Sequence, residues 1–199
     1  MKLILIRHYQ TPGNLRGNYI GSTDEEILMD ERKPVCQYEA VERLYVSPLK
    51  RCIQTAQIIY PEHEMRKVWN LRECDFGLFE NKNYKDLSGD AYYQAWIDSN
   101  GTLPFPKGED PSEFKRRCQE AFEAEIIECI KQKIASVAFV VHGGTIMSIM
   151  EKYDRDQKGY YDYQVRNGEG YLLNLEEYEW ESNTKKIDLL KKIVKEATE

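Results

Sequence analysis

The stretch LILIRHYQTPGN, residues 3–14, decides the fold of this chain. Its first four residues form an unbroken apolar run, which is typical of a strand buried on both faces of a parallel sheet. The run then changes abruptly to Arg7, His8 and turn-forming residues. Ligands of open α/β sheets collect at the carboxyl ends of the strands. Arg7 and His8 therefore stand where a functional site is expected.

A second stretch repeats this arrangement. Residues 137–141 read VAFVV, another short apolar run, and His142, Gly143 and Gly144 follow it directly. The chain has three histidines, and two of them come one step after a buried-strand pattern. One such histidine alone is more often a surface residue at a strand end. Two of them predict that both imidazoles converge in one pocket.

Composition limits the class of protein. The 199 residues, of which 41% are hydrophobic, suggest a single domain over residues 1–199, with an inserted lobe at about 78–107 above the site. The net charge of -6 argues against a nucleic-acid surface, and no apolar run approaches the roughly 20 residues that span a bilayer. Five cysteines without C-x-x-C spacing and no signal peptide before the first strand predict free thiols and a cytoplasmic location.

Two helices can be placed by their start signals. Ser47 suits the N-cap and Pro48 the first helical position, which puts Arg51 in a first turn, where free N–H groups attract anions. A solvated charge is the alternative interpretation of Arg51. Residues 110–113, DPSE, form a capping box before a long helix with an apolar residue every four positions.

Three other segments are less regular. Residues 79–105 are aromatic and rich in turn formers, and we expect two short helices there that form the lobe. Residues 30–41 are charged and broken by Pro34, so they can hold at most a short helix. Residues 187–194 suit a helix, while residues 187–190 could also be an edge strand.

The candidate groups together favour phosphate chemistry. Two arginines, two helix N-termini and two imidazoles around one point suit a dianionic oxyanion, because arginine forks match phosphate geometry. A neutral histidine can attack phosphorus and form a covalent intermediate. An acid must then protonate the leaving oxygen, and Glu73 is a candidate on chemical grounds, although alone it is more simply an exposed acid. The sequence contains no Walker phosphate loop, nucleophile elbow or H-E-x-x-H metal pair.

Four sequence blocks, in order along residues 3 to about 150, resemble the histidine phosphatase superfamily, also called phosphoglycerate mutase-like. They are RHxxTxxN at 7–14, SPLxRxxxTA at 47–56, LRExxFGxFE at 71–80 and HGG at 142–144. The resemblance implies a three-layer α/β/α sandwich around a mostly parallel sheet, with a small helical lobe.

The same resemblance implies the site. His8 would be the nucleophile that becomes phosphorylated, and Glu73 the proton donor and then the base for water. The phosphoryl oxygens would be held by Arg7, Asn14, Arg51 and His142. The backbone of Gly21 and Gly143 would lie near the substrate, and neither a metal nor another cofactor would be needed.

Some residues depart from the family pattern. Tyr9 stands where the family usually has glycine, and Gln10 where it has glutamate. The Tyr9 side chain could narrow the pocket or turn outward. Ile20 replaces the hydroxyl residue of the mutases. Residues 30–43 are too short for the family's first long helix, which predicts a thinly covered sheet face.

The resemblance associates the mutases with extra basic residues in the inserted lobe, whereas residues 79–105 contain only two cations, Lys82 and Lys85. This favours a phosphomonoester hydrolase over a mutase. The expected partner is a small phosphorylated metabolite such as α-ribazole 5′-phosphate or a sugar phosphate, with no nucleic acid and no membrane, and a homodimer is the candidate assembly. Phosphoglycerate mutase-type phosphotransfer is one alternative. A non-catalytic phosphate-binding module, suggested by Tyr9, is the other.

Overall fold

The computed structural model describes residues 1–28, 30, 36–182 and 184–195, and has one mixed sheet at its centre. In the described part of the chain six strands lie in the order β3-β2-β4-β1-β5-β6. The first four run parallel to one another, β5 pairs antiparallel with β1, and β6 pairs antiparallel with β5. The strands are β1 (Lys2–Arg7), β2 (Arg43–Val46), β3 (Met65–Lys67), β4 (Ser136–Val141), β5 (Gly170–Asn174) and β6 (Asp188–Ile193). The predicted mostly parallel α/β fold is confirmed.

The pairing of β1 with β4 positions the two histidines. β1 lies between β4 and β5, and residues 3–6 are completely buried, as the apolar run predicts. Arg7 is paired with Val141 in the parallel register, and the His8 N–H donates to the Val141 carbonyl. His8 and His142 therefore leave the sheet side by side at the same edge.

Helices cover both faces of the sheet. They are α1 (Pro12–Leu15), α2 (Lys50–Ile59), α3 (Ala91–Asp98), α4 (Pro111–Lys131), α5 (Gly143–Tyr153) and α6 (Glu177–Glu181). Side chains of α4, α5 and α6 join the larger hydrophobic cluster, which contains Phe122, Ile146 and Trp180. The cluster on the other face is smaller, and among the described helices α2 alone contributes buried side chains to it. The expected thin covering of one face agrees with this arrangement. The expectation of at most a short helix near Pro34 lies, for residues 31–35, outside the described residues.

The start of α4 agrees with its sequence in the Asp110 cap, although Glu113 pairs with Arg116 and does not complete a capping box; the start of α2 does not agree. The Asp110 side chain accepts from the backbone N–H groups of Ser112 and Glu113, and the apolar stripe of α4 is buried. The helix predicted to begin at Ser47 begins at Lys50, with Leu49 at the N-cap. The N-cap prediction for Ser47 is wrong: its hydroxyl lies 2.7 Å from Nε2 of His142 and only 3.5 Å from the Leu49 N–H, ahead of the helix. Arg51 nevertheless lies in the first turn of α2.

The lobe and the C-terminus also differ from the simplest expectation. Residues 79–105 contain one α-helix, α3, and turns where a second helix was predicted. Aromatic packing holds this segment together, for example between Phe79, Trp96 and Phe105. At the C-terminus the edge-strand alternative is right, since β6 pairs with β5. None of the helices in the described residues is long and apolar enough to cross a bilayer.

Candidate active site

A cavity of about 900 Å³ opens at the carboxyl ends of the central strands. Five of the predicted site residues line it: Arg7, His8, Asn14, Glu73 and Gly143. Residues 96–105 of the lobe and residues 159–164 after α5 form its outer walls. The other three predicted residues, Gly21, Arg51 and His142, are not among the described residues that line it.

His8 is buried at the inner end of this cavity as a neutral imidazole. Its Nδ1 lies 2.6 Å from the Tyr9 carbonyl oxygen, which can only accept, so Nδ1 carries the proton. The other ring nitrogen, Nε2, therefore keeps its lone pair. Burial, together with the neighbouring guanidinium groups of Arg51 and Arg7, lowers the pKa of His8 well below 6.5. The ring is consequently neutral at neutral pH, with Nε2 free of a proton, the state that a nucleophile requires.

His142 lies beside His8, with 5.2 Å between the ring centroids. Its Nδ1 accepts from Nε of Arg51 at 3.3 Å, and arginine can only donate. The proton is therefore on Nε2, which lies 2.7 Å from the Ser47 hydroxyl oxygen. Burial, Arg51 and His8 lower the pKa of His142 well below 6.5. The structure thus brings the two predicted imidazoles together, as neutral rings of opposite tautomers.

Arg7 brings a guanidinium group to the cavity itself. Its Nη1 donates to the Val165 carbonyl oxygen at 2.7 Å, and its Nε is buried with no hydrogen-bond partner among the described residues. A Cβ atom at Gly143 would lie 3.3 Å from the guanidinium carbon. Glycine at this position therefore lets the arginine pack closely against the start of α5.

Arg51 is completely buried directly behind His8 and His142. Its Nη2 donates to the Gly21 carbonyl oxygen at 2.8 Å and its Nη1 to the Thr23 carbonyl oxygen at 2.7 Å. With Nε donating to His142, the guanidinium joins the loop of residues 20–23 to the imidazole pair. Its positive charge is held next to His8 without facing the cavity.

Gly21 is not among the described residues that line the cavity, and its backbone groups bind other residues. Its N–H donates to the carboxylate of Glu80, and its carbonyl accepts from Arg51. Glu80 also accepts from the N–H groups of Ser22 and Phe76 and from the Thr23 hydroxyl. Glu80 stands in the third sequence block, but nothing local to it indicates that it organises a loop almost sixty residues away.

Glu73 is the buried acid of the cavity. One carboxylate oxygen accepts from the Cys74 N–H at 3.0 Å and the other from the Gly144 N–H at 3.2 Å. Burial raises the pKa of Glu73, although these hydrogen bonds and the nearby arginines act in the opposite direction. A Cβ atom at Gly144 would lie 2.5 Å from the carboxylate, so glycine is required for this contact. The raised pKa favours a carboxyl group that can donate a proton.

Asn14 is oriented by a residue that the sequence did not single out. Its side-chain oxygen accepts from the Thr11 N–H at 3.3 Å and from the Asn167 side chain at 3.1 Å. This leaves the NH₂ group of Asn14 as the donor for a ligand. Asn167 also donates to the His8 carbonyl oxygen at 3.1 Å, so it connects the two cavity residues.

Tyr9, the main departure from the family pattern, does not narrow the pocket. Its side chain is completely buried and it is not among the described residues that line the cavity. Ile20, the second departure, does line the cavity. In the described residues no group of three or more His, Cys, Asp or Glu side chains could hold a metal ion.

Comparisons with known proteins agree with this geometry. A sequence model of the histidine phosphatase superfamily (branch 1) matches residues 3–188. The chain is 25% identical to a broad-specificity phosphatase of Saccharomyces cerevisiae, over 79% of this chain and 73% of that protein. It is 26% identical to the 2,3-bisphosphoglycerate-dependent phosphoglycerate mutase of Corynebacterium efficiens, over 77% and 76% of the two chains.

Solved structures show the same fold. The alpha-ribazole phosphatase from Shigella flexneri superposes with a TM-score of 0.76 at 22% identity, over 96% of this chain and 95% of that one. A phosphoglycerate mutase from Thermus thermophilus superposes with a TM-score of 0.70 at 21% identity, over 98% and 100% of the two chains.

Proposed function

This chain belongs to the histidine phosphatase superfamily, and we propose that it is a phosphomonoester hydrolase that acts through a phosphohistidine intermediate. The observation that carries the proposal is the state of His8. A neutral imidazole, with its proton held on Nδ1 by the Tyr9 carbonyl, presents the lone pair of Nε2 at the inner end of a cavity. That is the arrangement that nucleophilic attack on phosphorus requires.

In the first step Nε2 of His8 attacks the phosphorus atom of the substrate. A P–N bond forms, the bond from phosphorus to the ester oxygen breaks, and the Glu73 carboxyl group gives its proton to the leaving alcohol. The raised pKa of Glu73 supports this role, because the acid must be protonated before the step. The Tyr9 carbonyl stabilises the positive charge that develops on the imidazole, since it accepts from Nδ1.

In the second step water hydrolyses the phosphohistidine. Glu73, now a carboxylate, takes a proton from the water as its oxygen attacks phosphorus, and the P–N bond breaks. Inorganic phosphate leaves, and both His8 and Glu73 return to their initial protonation states. No metal or other cofactor takes part in either step as proposed.

The phosphoryl oxygens are assigned to groups at the inner end of the cavity. Arg7, the NH₂ group of Asn14 and the backbone N–H of Gly143 at the start of α5 bind them from the cavity side. Arg51 and His142 stabilise their charge from behind. A direct hydrogen bond from either residue to phosphate requires it to exchange one of its present partners.

A hydrolase is favoured over a phosphotransferase by the walls of the cavity. Lys82 and Lys85, the cations of the lobe, are not among the described residues that line it. The substrate is a small phosphorylated metabolite, with α-ribazole 5′-phosphate or a sugar phosphate as candidates. The first candidate is supported by the likeness in fold to an alpha-ribazole phosphatase. A cytoplasmic location is supported by the five cysteines, which form no disulfide bond.

The experiment compares wild type, His8→Ala and the control His63→Ala, whose histidine does not line the cavity. We expect wild type and His63→Ala to hydrolyse an aryl phosphate, and His8→Ala to lose several orders of magnitude, because the covalent route is gone. Rapid quenching should trap an acid-labile phosphohistidine in the first two only. Equal turnover by wild type and His8→Ala would overturn the proposal. Phosphate binding without turnover or labelling would identify a non-catalytic binding module.

A further inference from the structure

Most of the cavity lies beyond the phosphoryl position and must receive the alcohol part of the substrate. Resting on the proposed function, we propose that this outer part is a leaving-group site for uncharged alcohols. An ion pair between Lys115 and Glu151 in this site disfavours substrates that carry a second anionic group.

The charges that line the cavity divide into two groups. Arg7 and Glu73 belong to the inner end, where the phosphoryl group reacts. Among the described lining residues, the remaining charged side chains are Lys115, Glu151 and Asp162. One cation therefore stands against two carboxylates, and the outer part has an excess of negative charge.

The single cation is already occupied. Nζ of Lys115 lies 2.8 and 3.1 Å from the two carboxylate oxygens of Glu151, with the side chains about 30% and 32% exposed. The same ammonium lies 4.1 Å from the ring centroid of Tyr160, within the range of a cation–π contact. Lys115 is thus held by an acid and an aromatic ring of the wall.

A second anionic group on the substrate would meet an unfavourable field. To bind Lys115 it would have to share the ammonium with Glu151 and bring two negative charges together. Repulsion between like charges in a partly buried site disfavours that arrangement. A neutral alcohol leaves the ion pair between Lys115 and Glu151 intact and is not repelled by the carboxylates.

The remaining wall suits such a group. Trp96, Phe105, Tyr160 and Tyr161 provide aromatic surface, and Asn100 provides a polar side chain. Aromatic surface with a few polar groups is the usual lining of a site for an uncharged organic moiety. Contact with rings and hydrogen bonding, without charge pairing, would therefore supply the affinity.

The test uses two aryl phosphates of nearly the same shape, 4-carbamoylphenyl phosphate and 4-carboxyphenyl phosphate, at low ionic strength. We expect wild type to favour the carbamoyl compound in kcat/KM by about tenfold or more. Glu151→Gln should reduce this preference by about tenfold, mainly through a lower KM for the carboxylate, because Lys115 becomes available. Lys115→Gln should increase the preference, since two carboxylates then remain without a cation.

Glu120→Gln is the matched control. Like Glu151→Gln it removes one negative charge, but from an exposed site on α4 that does not line the cavity. It should leave the preference unchanged. Equal kcat/KM for the two compounds in wild type, or a preference unchanged by Glu151→Gln, would overturn the inference while the hydrolase stands. A folded protein that turns over neither compound would overturn the proposed function and this inference with it.

Discussion

The hydroxyl oxygen of Ser47 lies 2.7 Å from Nε2 of His142, across the carboxyl ends of the adjacent strands β2 and β4. Both side chains are completely buried. Since Arg51 donates to the other ring nitrogen, Ser47 is the acceptor for the single proton of the imidazole. A residue whose sequence context predicts a helix cap is thus a positioning residue for the second histidine.

Replacing Ser47 by alanine should destabilise the fold and lower activity. The Nε2–H of His142 would lose its buried acceptor, which costs about 1–3 kcal/mol in the free energy of unfolding. The ring would also lose the shorter of its contacts at Nε2 and keep the Cys52 sulfur at 3.5 Å, so kcat should fall more than KM rises. Urea unfolding and aryl phosphate kinetics measure the two effects. Ser88→Ala, at an exposed site, is the control, and Ser47→Ala behaving like it would refute the assignment.

The two histidines should be neutral tautomers of opposite kind. His8 carries its proton on Nδ1 because it faces a carbonyl, and His142 on Nε2 because it faces an arginine. Nitrogen-15 NMR at pH 7 distinguishes these forms directly. Loss of one set of signals in His8→Gln and of a second set in His63→Gln assigns all three histidines. Two rings of the same tautomer, or a protonated ring at this pH, would contradict the hydrogen bonding described above.

The lowered pKa of His8 also predicts a dependence of stability on pH. Below an ordinary pKa of about 6.5 the unfolded chain binds a proton that the folded chain does not. The free energy of unfolding should therefore fall as the pH decreases below that value, and His8 should contribute about 1.4 kcal/mol per pH unit until its folded pKa is reached. His8→Gln should lack this contribution. Urea unfolding of both proteins from pH 7 to 5 measures it, and parallel curves would disprove it.

The loss of activity on replacing Glu73 should be larger for substrates with poorer leaving groups. Glu73→Gln removes the general acid, so kcat/KM should fall by about 10²–10⁴ for an alkyl phosphate and much less for 4-nitrophenyl phosphate. Without a base for water the phosphohistidine should accumulate during turnover of the aryl ester. Glu109→Gln, whose carboxylate pairs with Arg117, controls for loss of a nearby acid. An equal effect on both esters would exclude Glu73 as the acid.

Glu80 should support the loop that holds Arg51. Its carboxylate accepts from backbone N–H groups of residues 21–23, whose carbonyl groups at 21 and 23 accept from Arg51. Hydrogen bonds to a charged group contribute about 1.5–3 kcal/mol each, so Glu80→Ala should lower the free energy of unfolding by at least about 2 kcal/mol. Glu80→Gln, which keeps one acceptor, should lose less. Equal stability of Glu80→Ala and the exposed-site control Glu62→Ala would show that the loop does not depend on the Glu80 carboxylate.

Much of the fold could be predicted because its signals are local. The apolar runs before His8 and His142 predict buried strands from adjacent residues alone, and parallel strands of one sheet place their carboxyl ends together. The Asp110 cap and the stripe of α4 are also local patterns, which the structure confirms. The prediction of a second helix in the lobe was wrong, since residues 81–89 form turns in which the Asn83 side chain accepts from the N–H groups of Lys85 and Asp86.

The contacts that complete the site escaped prediction because each joins distant parts of the chain. Ser47 meets His142 across 95 residues, Asn167 meets Asn14 across 153, and Glu80 meets Gly21 across 59. A hydroxyl, an amide or a carboxylate can be satisfied in many ways, and sequence spacing does not say which partner will be near. The direction of the Tyr9 side chain was open for the same reason.

The sequence by itself determined the buried strands β1 and β4, the helix α4 and the identity of the chemical groups, because secondary structure and reactivity follow from residue type and short-range order. Only the tertiary structure decided which tautomer each imidazole adopts, that Arg51 lies behind the cavity, and that Lys115 forms an ion pair with Glu151 within it. Those properties depend on hydrogen bonds and electric fields among atoms brought together by packing, and these exist only once the chain is folded.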